Sequence, residues 1–191
     1  MKRQLRWDLN TPKQDPQKEM SKNSYKILLN NITTFIFDVD GVMTDGKVLV
    51  TSEGDMYRAM DTRDGFALKY ALTKGYKIGI ISGGTNQGVK KRLELLGVNK
   101  VYLAAHEKGP AFNDFMKTYD LVPEEVLYMG DDVPDIPIMK KVGVATCPQD
   151  AVTDVKSIAD YVSHKKGGYG CVREIIEQVM RVQQKWEFSE L

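Results

Sequence analysis

The chain has little of what marks several common classes of protein. It contains only two cysteines among its 191 residues, Cys147 and Cys171, and neither lies near another cysteine or a histidine pattern. A disulfide framework and a zinc site are therefore not expected. We predict that both thiols are reduced packing residues of a cytosolic protein.

An excess of charge of one sign is also absent. The 27 Lys and Arg residues oppose 26 Asp and Glu residues, which leaves a net charge of +1. This balance does not favour nucleic acid as a partner. No apolar run approaches the length of a membrane-spanning helix, and the first residues lack the apolar core of a signal peptide. We therefore expect no membrane partner and a cytoplasmic location.

The length of the chain is typical of one compact domain with a sizeable core. Residues 1–23 contain two prolines, many lysines and glutamines and few apolar side chains. This composition predicts a flexible N-terminal extension. Residues 24–191 are predicted to form a single domain that ends in a glycine-rich tail and a helix.

Within this domain, apolar runs of strand type alternate with segments of helical spacing. The predicted strands lie at 33–37, 78–81, 100–103, 126–129, 142–145 and 161–162. The predicted helices lie at 65–74, 86–96, 107–119, 134–141, 152–157 and 172–185. This alternation predicts an α/β fold with a doubly wound, Rossmann-like parallel sheet. At 47–60, strand formers flank a Ser-Glu-Gly-Asp turn, which predicts a β-hairpin.

Carboxylates follow two of the predicted strands, those at 33–37 and 126–129. These carboxylates belong to Asp38, Asp40, Asp131, Asp132 and Asp135. The carboxyl ends of parallel strands meet at the edge of the sheet where α/β proteins bind ligands. Carboxylates gathered there repel each other unless a cation lies among them, and Mg²⁺ suits such an all-oxygen site. Together the two segments predict phosphoryl transfer, although either one alone could be a solvated turn.

At these residues the chain resembles the haloacid dehalogenase superfamily of phosphatases. The matching motifs are Asp-x-Asp-Gly-Val-x-Thr-Asp-Gly from Asp38, Ile-Ser-Gly ending at Gly83, the lone Lys108, and Gly-Asp-Asp-x-x-Asp from Gly130. The Asp-Thr-Arg-Asp-Gly segment at 61–65 and the tail at 167–174 resemble the small-cap branch of 3-deoxy-D-manno-octulosonate 8-phosphate phosphatases. The resemblance covers about residues 30–182. It implies a hairpin in place of a cap domain, and a homotetramer whose subunits wall one another's sites.

The chemical roles of the aspartates follow in part from the residues themselves. Asp38 is the predicted nucleophile, because a carboxylate that attacks phosphorus forms an aspartyl phosphate. Asp40 is the predicted acid and base. The resemblance implies the same roles and adds that Asp38, Asp131 and the backbone carbonyl of Asp40 hold Mg²⁺. It also implies that Asp132 and Asp135 orient the metal ligands, with a helix cap as the alternative for Asp135.

Two further residues are predicted to assist the transfer. Ser82 ends a buried strand, where its hydroxyl and the following amides can bind a phosphoryl oxygen. Lys108 opens a predicted helix, a position where its charge opposes the helix dipole. We therefore predict that Lys108 neutralises charge on the transferring group and steadies Asp38.

The predicted substrate contacts come from the resemblance. They are Asp61, Thr62, Arg63, Asp64, Gly65, Lys69, Gly83, Arg92 and Arg173. A solvated helix arginine is the alternative for Arg92, and a flexible linker is the alternative for the glycine-rich tail. Lys69 and Gly84 stand where arginines are expected in the branch. Either the acid end of the substrate is held differently, or the sugar acid differs.

The resemblance implies Mg²⁺-dependent hydrolysis of a 2-keto-3-deoxy sugar-acid phosphate. The first candidate is the eight-carbon 8-phosphate used in lipopolysaccharide synthesis, and a nine-carbon, sialic-acid-type 9-phosphate is the rival. A non-catalytic assembly domain of nucleotide-sugar synthetases has the same fold, but such a domain need not keep Asp38, Asp40, Lys108 and Asp131. A phosphomutase is disfavoured because no large cap is present to retain its intermediate.

Overall fold

A six-stranded parallel sheet forms the centre of the computed structural model, which describes residues 25–188. The strands within these residues are β1 (Thr34–Phe37), β2 (Leu49–Val50), β3 (Met56–Tyr57), β4 (Lys77–Ile81), β5 (Lys100–Tyr102), β6 (Val126–Met129), β7 (Val144–Cys147) and β8 (Tyr161–Val162). The sheet has the order β5-β4-β1-β6-β7-β8. From β1 the chain runs outward to β5 and then returns to the other side of β1, which confirms the doubly wound topology. The predicted extension at 1–23 lies outside the described residues.

Between β1 and the last described residue, Phe188, the chain forms six α-helices. They are α1 (Thr62–Thr73), α2 (Gln87–Leu95), α3 (Lys108–Thr118), α4 (Ile136–Met139), α5 (Thr153–Ile158) and α6 (Cys171–Val182). Residues 25–28 are also helical and lead into a 3-10 turn. In the part of the chain that the structure describes, no helix combines the length and apolarity needed to cross a membrane.

The helices form one layer on each face of the sheet. Successive side chains of a strand point to opposite faces, so each layer packs against every second side chain. Phe35 and Phe37 of β1 belong to the core that the sheet shares with α1, α2 and α6. Ile36 belongs to the opposite core, which the sheet shares with α3, α4 and α5. All three side chains are fully buried. The apolar runs read from the sequence are thus strands covered on both faces.

The ends of several elements differ from the prediction. Helix α1 begins at Thr62 rather than at residue 65, because Oδ1 of Asp61 accepts a hydrogen bond from the backbone N–H of Arg63 at 2.8 Å and caps the helix. The predicted substrate loop at 61–65 is therefore the first turn of a helix. Its end is as predicted, since Gly75 adopts a left-handed φ of +87° just past the helix.

Two predicted elements near the carboxylate loop are shifted or shortened. The strand predicted at 142–145 is β7, two residues later in the chain. The helix predicted at 134–141 is only the four-residue α4, because the residues before it form a 3-10 turn, Val133–Asp135. The hairpin predicted at 47–60 is confirmed, with β2 and β3 paired antiparallel in a separate two-stranded sheet.

Candidate active site

A cavity of about 390 Å³ opens at the carboxyl edge of the sheet, where the strand order reverses around β1. Ligands bind at this switch point in open α/β sheets. The lining includes every residue predicted to act in catalysis or around the metal, namely Asp38, Asp40, Ser82, Lys108, Asp131, Asp132 and Asp135. Residues that lie far apart in the chain are thus brought together as predicted.

Asp38 follows β1 directly, and only 8% of the residue is exposed. Its Oδ1 accepts a hydrogen bond from the backbone N–H of Val39 at 2.6 Å, and its Oδ2 lies 2.7 Å from Nζ of Lys108. Burial raises the pKa of Asp38 to about 6 and the charge of Asp135 adds to the rise, while Lys108 opposes it. The carboxylate is held by donors on both oxygens yet remains short of counter-charge.

Lys108 is the first residue of α3 and is buried. Its Nζ contacts Oδ2 of Asp38 and, at 2.6 Å, Oδ1 of Asp135. Burial alone would lower the pKa of Lys108, but the two carboxylates outweigh it and raise the pKa. The ammonium group therefore stays charged and points at the predicted nucleophile, as expected for a residue that steadies it.

Asp135 is fully buried, and each of its two carboxylate oxygens accepts two hydrogen bonds. The hydroxyl of Tyr128 and Nζ of Lys108 donate to its Oδ1. The backbone N–H groups of Asp131 and Asp132 donate to its Oδ2 at 3.1 and 3.3 Å. Asp135 thus fixes both the lysine and the loop that carries Asp131. Its carboxylate completes the capping box of the 3-10 turn but makes no side-chain cap on α4, so the helix-cap alternative is wrong, and the role of Asp135 in orienting the metal ligands stays a prediction.

Asp131 has a carboxylate oxygen that lacks a protein partner. Its Oδ1 is buried and accepts no hydrogen bond from residues 25–188. Burial, together with the charges of Asp38 and Asp135, raises the pKa of Asp131 to about 7. The loop at Gly41 approaches closely: a Cβ there would lie 1.9 Å from Oδ2 of Asp131, and the residue has a left-handed φ of +86°. A side chain at position 41 is therefore excluded.

These carboxylates fit a divalent cation. Oxygen atoms of Asp38, Asp131 and Asp135 lie within 4.8 Å of one another. Because Asp135 already accepts four hydrogen bonds, Asp38 and Asp131 are the side chains with capacity for a metal. An unpartnered buried oxygen is costly unless a ligand compensates it, and a hard all-oxygen set suits Mg²⁺.

Asp40 has a partner that the sequence analysis missed. The Nε and Nη2 atoms of Arg58 donate to its two carboxylate oxygens at 2.6 and 3.1 Å. Arg58 comes directly after β3 of the hairpin. Nothing in the local pattern predicts which hairpin side chain turns toward the sheet. His106 was also missed; it lines the cavity two residues before Lys108, and that spacing is the only signal that could have suggested it.

Ser82 follows β4 and is buried at the floor of the cavity. Its Oγ accepts a hydrogen bond from the backbone N–H of Gly84 at 3.1 Å, which leaves the hydroxyl proton free to donate to an anion. Gly83 lines the same cavity. A phosphoryl oxygen could be held by such donors, and the cradle stays a prediction.

The other predicted substrate residues do not line this cavity. Lys69 and Arg92 are exposed. Arg63 pairs with Asp61 at 2.6 Å, and it lines a separate cavity of about 830 Å³ together with Arg173. Their contact with substrate stays a prediction.

Asp64 and Arg173 have contacts within the chain that the sequence did not indicate. The buried Oδ1 of Asp64 accepts a hydrogen bond from the backbone N–H of Arg173 at 2.7 Å, in the first turn of α6. Burial raises the pKa of Asp64 to about 6, although this hydrogen bond opposes the rise. The guanidinium of Arg173 lies 5.7 Å from the ring of Phe66 and 5.6 Å from that of Trp186. Asp64 therefore joins α1 to α6.

The glycine-rich tail packs against the loop that follows Asp38. The backbone N–H of Gly168 donates to the carbonyl of Val42 at 2.9 Å. A Cβ at Gly167 would lie 1.9 Å from the carbonyl oxygen of Gly41. The tail therefore packs against the active-site loop and supports it. The alternative of a flexible linker is wrong.

Known proteins resemble this chain in sequence. A sequence model described as Haloacid dehalogenase-like hydrolase matches residues 66–148. The 3-deoxy-D-manno-octulosonate 8-phosphate phosphatase KdsC of Salmonella typhi is 37% identical over 155 residues, which cover 81% of this chain and 82% of the relative.

Solved structures give the same result. The crystal structure of the 3-deoxy-D-manno-octulosonate 8-phosphate phosphatase from Yersinia pestis has a TM-score of 0.82 and 33% identity, covering 84% of this chain and 86% of that one. The enzyme of that name from Moraxella catarrhalis, in complex with magnesium, phosphate and KDO, has a TM-score of 0.83 and 27% identity, covering 86% and 94%. The protein is thus a member of the haloacid dehalogenase superfamily, in the family of 3-deoxy-D-manno-octulosonate 8-phosphate phosphatases.

Proposed function

We propose that the protein hydrolyses 3-deoxy-D-manno-octulosonate 8-phosphate to the free sugar acid and phosphate. The observation that carries the proposal is the buried contact between Asp38 and Lys108 beside the unpartnered oxygen of Asp131. The relative from Salmonella typhi is named for this activity, and the Moraxella catarrhalis structure contains KDO and a phosphate ion. Both support the same substrate for this chain.

In the first step, a carboxylate oxygen of Asp38 attacks phosphorus. A bond forms between this oxygen and phosphorus, and the bond from phosphorus to the sugar oxygen breaks, giving an aspartyl phosphate. The ammonium group of Lys108 opposes the negative charge on the transferring group. The Ser82 hydroxyl and the backbone N–H of Gly83, two residues that line the cavity, would hold a phosphoryl oxygen.

Asp40 would move the protons in both steps. As the first bond breaks, Asp40 donates a proton to the departing sugar oxygen, which leaves as an alcohol. Water then attacks the phosphorus of the aspartyl phosphate while Asp40 accepts a proton from that water. Phosphate departs and the carboxylate of Asp38 is restored.

The side chains of Asp38 and Asp131, with the backbone carbonyl of Asp40, would hold Mg²⁺. The fit rests on the buried Oδ1 of Asp131, which has no partner within the described chain, and on the pKa of Asp131, which burial raises to about 7. Bound Mg²⁺ would supply charge neutralisation for the phosphoryl group.

A homotetramer would complete this site. The hairpin is apolar and largely exposed in the single chain: Leu49 is 68% exposed and Val50 is 62% exposed. A two-stranded hairpin is marginally stable alone, and a contiguous apolar patch indicates an interface. Packing the hairpins of neighbouring subunits together would cover these side chains and bring residues such as Arg63 or Arg173 toward another subunit's cavity.

The test compares kcat/KM for the eight-carbon 8-phosphate and the nine-carbon 9-phosphate, with Mg²⁺ and with a chelator. We expect the eight-carbon ester to be preferred and the chelator to abolish turnover. The nine-carbon compound is the specific rival, because Gly84 and Lys69 replace expected arginines. Asp38→Asn is the matched control, since an amide cannot form the acyl phosphate. A wild-type protein without activity on either ester would favour an assembly domain.

A further inference from the structure

Arg58 differs from the rest of the hairpin in where its side chain goes. Leu49, Val50, Met56 and Tyr57 are all between 46% and 68% exposed. The side chain of Arg58 is only 8% exposed, and it reaches the cavity edge, where it pairs with Asp40. The hairpin thus sends one charged side chain inward, to a residue of the active site.

The pair has the geometry of a fixed support. Two separate nitrogens of Arg58 contact the two oxygens of Asp40, at 2.6 and 3.1 Å, and this fork sets the plane of the carboxylate. The backbone beside it is anchored as well, because Nδ2 of Asn86 donates to the carbonyl of Met56 at 2.6 Å. Asn86 also caps α2, so the hairpin is tied to the cavity wall.

Stability of the fold does not account for this arrangement. The Nη1 atom of Arg58 is buried and has no hydrogen-bond partner within residues 25–188. A buried donor without a partner costs free energy, and an ion pair whose Asp40 side chain is 32% exposed offsets little of that cost. The cost of burying this guanidinium indicates that Arg58 has a functional role at the active site.

The atoms that would perform the task converge beside Gly84. A Cβ at this glycine would lie 3.2 Å from Oδ2 of Asp40, 3.3 Å from Oγ of Ser82 and 3.6 Å from Nη2 of Arg58. The acid, the phosphoryl cradle and the arginine therefore share one open space in the cavity wall. A leaving oxygen bonded to a phosphoryl group held by Ser82 would lie within reach of Asp40.

We propose that Arg58 is a positioning residue, which holds the Asp40 carboxyl group toward the leaving oxygen of the phosphate ester. This inference rests on the proposed function, because it assumes that Asp40 protonates that oxygen. Arg58 acts through Asp40 and does not itself contact the reacting atoms. The hairpin, besides any role in assembly, thus supplies a part of the acid machinery.

The experiment uses two esters that differ in their need for an acid. The sugar 8-phosphate releases an alkoxide that must be protonated, whereas 4-nitrophenyl phosphate releases a stable phenolate. Because kcat/KM reports steps up to loss of the leaving group, it isolates the acid step from the later attack by water. Arg58→Met, Arg58→Lys and Asp40→Asn are compared with wild type. Arg181→Met is the matched control, since Arg181 pairs with Glu177 at 2.7 Å away from the cavity.

We expect Arg58→Met to lower kcat/KM for the sugar phosphate at least about tenfold, since an acid contributes about 10²–10⁴-fold. Its kcat/KM for the nitrophenyl ester should change less than about threefold, as for an acid that this ester does not need. Arg58→Lys should recover part of the loss, because lysine keeps the charge but lacks the fork. Arg181→Met should match wild type with both esters.

Three results would overturn the proposal. Equal losses for both esters in Arg58→Met and Arg58→Lys, or no loss in either variant, would show that Arg58 does not position the acid, while a leaving-group contrast in Asp40→Asn keeps the proposed function intact. A wild-type protein that hydrolysed neither ester would overturn the proposed function and this inference with it. If Arg58→Met does not fold, Arg58→Lys decides the question.

Discussion

Lys108 and Asp135 form a buried ion pair in which Nζ lies 2.6 Å from Oδ1, while the same Nζ contacts Asp38 at 2.7 Å. One cation therefore serves two carboxylates, and neither is fully neutralised. This shortage explains why the pKa of Asp38 stays raised, through burial and the charge of Asp135, despite the lysine beside it. The active site is built with more negative charge than its own cations balance, and bound Mg²⁺ would supply the missing charge.

Replacing Lys108 by methionine should leave Asp38 and Asp135 buried without their common cation. We expect turnover to be lost and the free energy of unfolding to fall by about 3–5 kcal/mol at neutral pH. The loss of unfolding free energy should be smaller at acidic pH, because protonation of a carboxylate removes the repulsion between the two buried aspartates. Urea unfolding at the two pH values measures both effects. Lys100→Met, which removes a partly exposed pair with Asp114, is the control and should change stability far less. A loss that did not depend on pH would contradict this account.

Asp131 should make the metal-free protein less stable as the pH rises. Burial and the neighbouring carboxylates raise its pKa from 3.8 to about 7. The folded protein therefore binds the proton more tightly than the unfolded chain. The stability gained in this way is fully present below the unfolded pKa and is lost as the pH rises through the folded value.

The measurement compares wild type with Asp131→Asn by urea unfolding in chelator, at pH values on either side of this transition. One pKa unit corresponds to about 1.4 kcal/mol, so the stability of wild type should fall relative to the variant by at least about 1 kcal/mol as the pH rises. Added Mg²⁺ should restore wild type at the higher pH and have little effect on the variant. Parallel pH curves for the two proteins would remove Asp131 from the charge cluster.

The sheet and the central carboxylates could be predicted because their signals are local. β1 is a short apolar run that ends at Asp38, and β6 is one that ends before Asp131, so burial and position can be read together. Arg58 could not be found in this way. Its contact with Asp40 depends on how the hairpin packs against the sheet edge, and no periodicity within the hairpin encodes that packing.

The contact of Asp64 with α6 also could not be predicted from the sequence. The resemblance implies a substrate contact for Asp64, which stays a prediction, but its motif gives no sign that the buried Oδ1 accepts a hydrogen bond from the start of α6, more than 100 positions later in the chain. The position of a distant helix decides whether a charged residue faces a ligand or a backbone amide. Sequence patterns within one segment do not contain that information.

The exposed hairpin should be the assembly surface. Leu49→Glu adds a charge to the apolar patch next to its cross-strand neighbour Tyr57. We expect this variant to sediment as smaller species at micromolar concentration and to lose activity, while wild type sediments as a tetramer. Val122→Glu places the same charge on another exposed apolar residue, away from the hairpin, and should leave the tetramer intact. A fully active wild-type monomer would refute the tetramer proposal.

Arg173→Ala tests whether the tail contacts substrate. The backbone cap from Asp64 survives this change, so the helix start is preserved. We expect KM to rise about tenfold or more, because losing one charge-assisted contact to an anion costs about 1.5–3 kcal/mol. Arg181→Ala is the control, since both arginines pair with Glu177 and only Arg173 is predicted to reach substrate. Equal kinetics in the two variants would restrict Arg173 to packing against Phe66 and Trp186.

The contact of the tail with the nucleophile loop should be required for metal binding. A methyl group at position 167 would lie 1.9 Å from the carbonyl oxygen of Gly41, so Gly167→Ala must push that loop away. Gly41 in turn packs against Asp131, so moving its loop also disturbs a predicted metal ligand.

We expect Gly167→Ala to lose about 1–3 kcal/mol of stability, as overpacking does. The concentration of Mg²⁺ needed for half-maximal activity should also rise. Gly109→Ala is the matched control, because a Cβ there meets nothing within 4 Å and the residue lies in α3, where alanine favours the helix. Calorimetric titration with Mg²⁺ separates weakened binding from simple destabilisation. If Gly167→Ala bound Mg²⁺ as tightly as Gly109→Ala, the tail would support the fold without shaping the metal site.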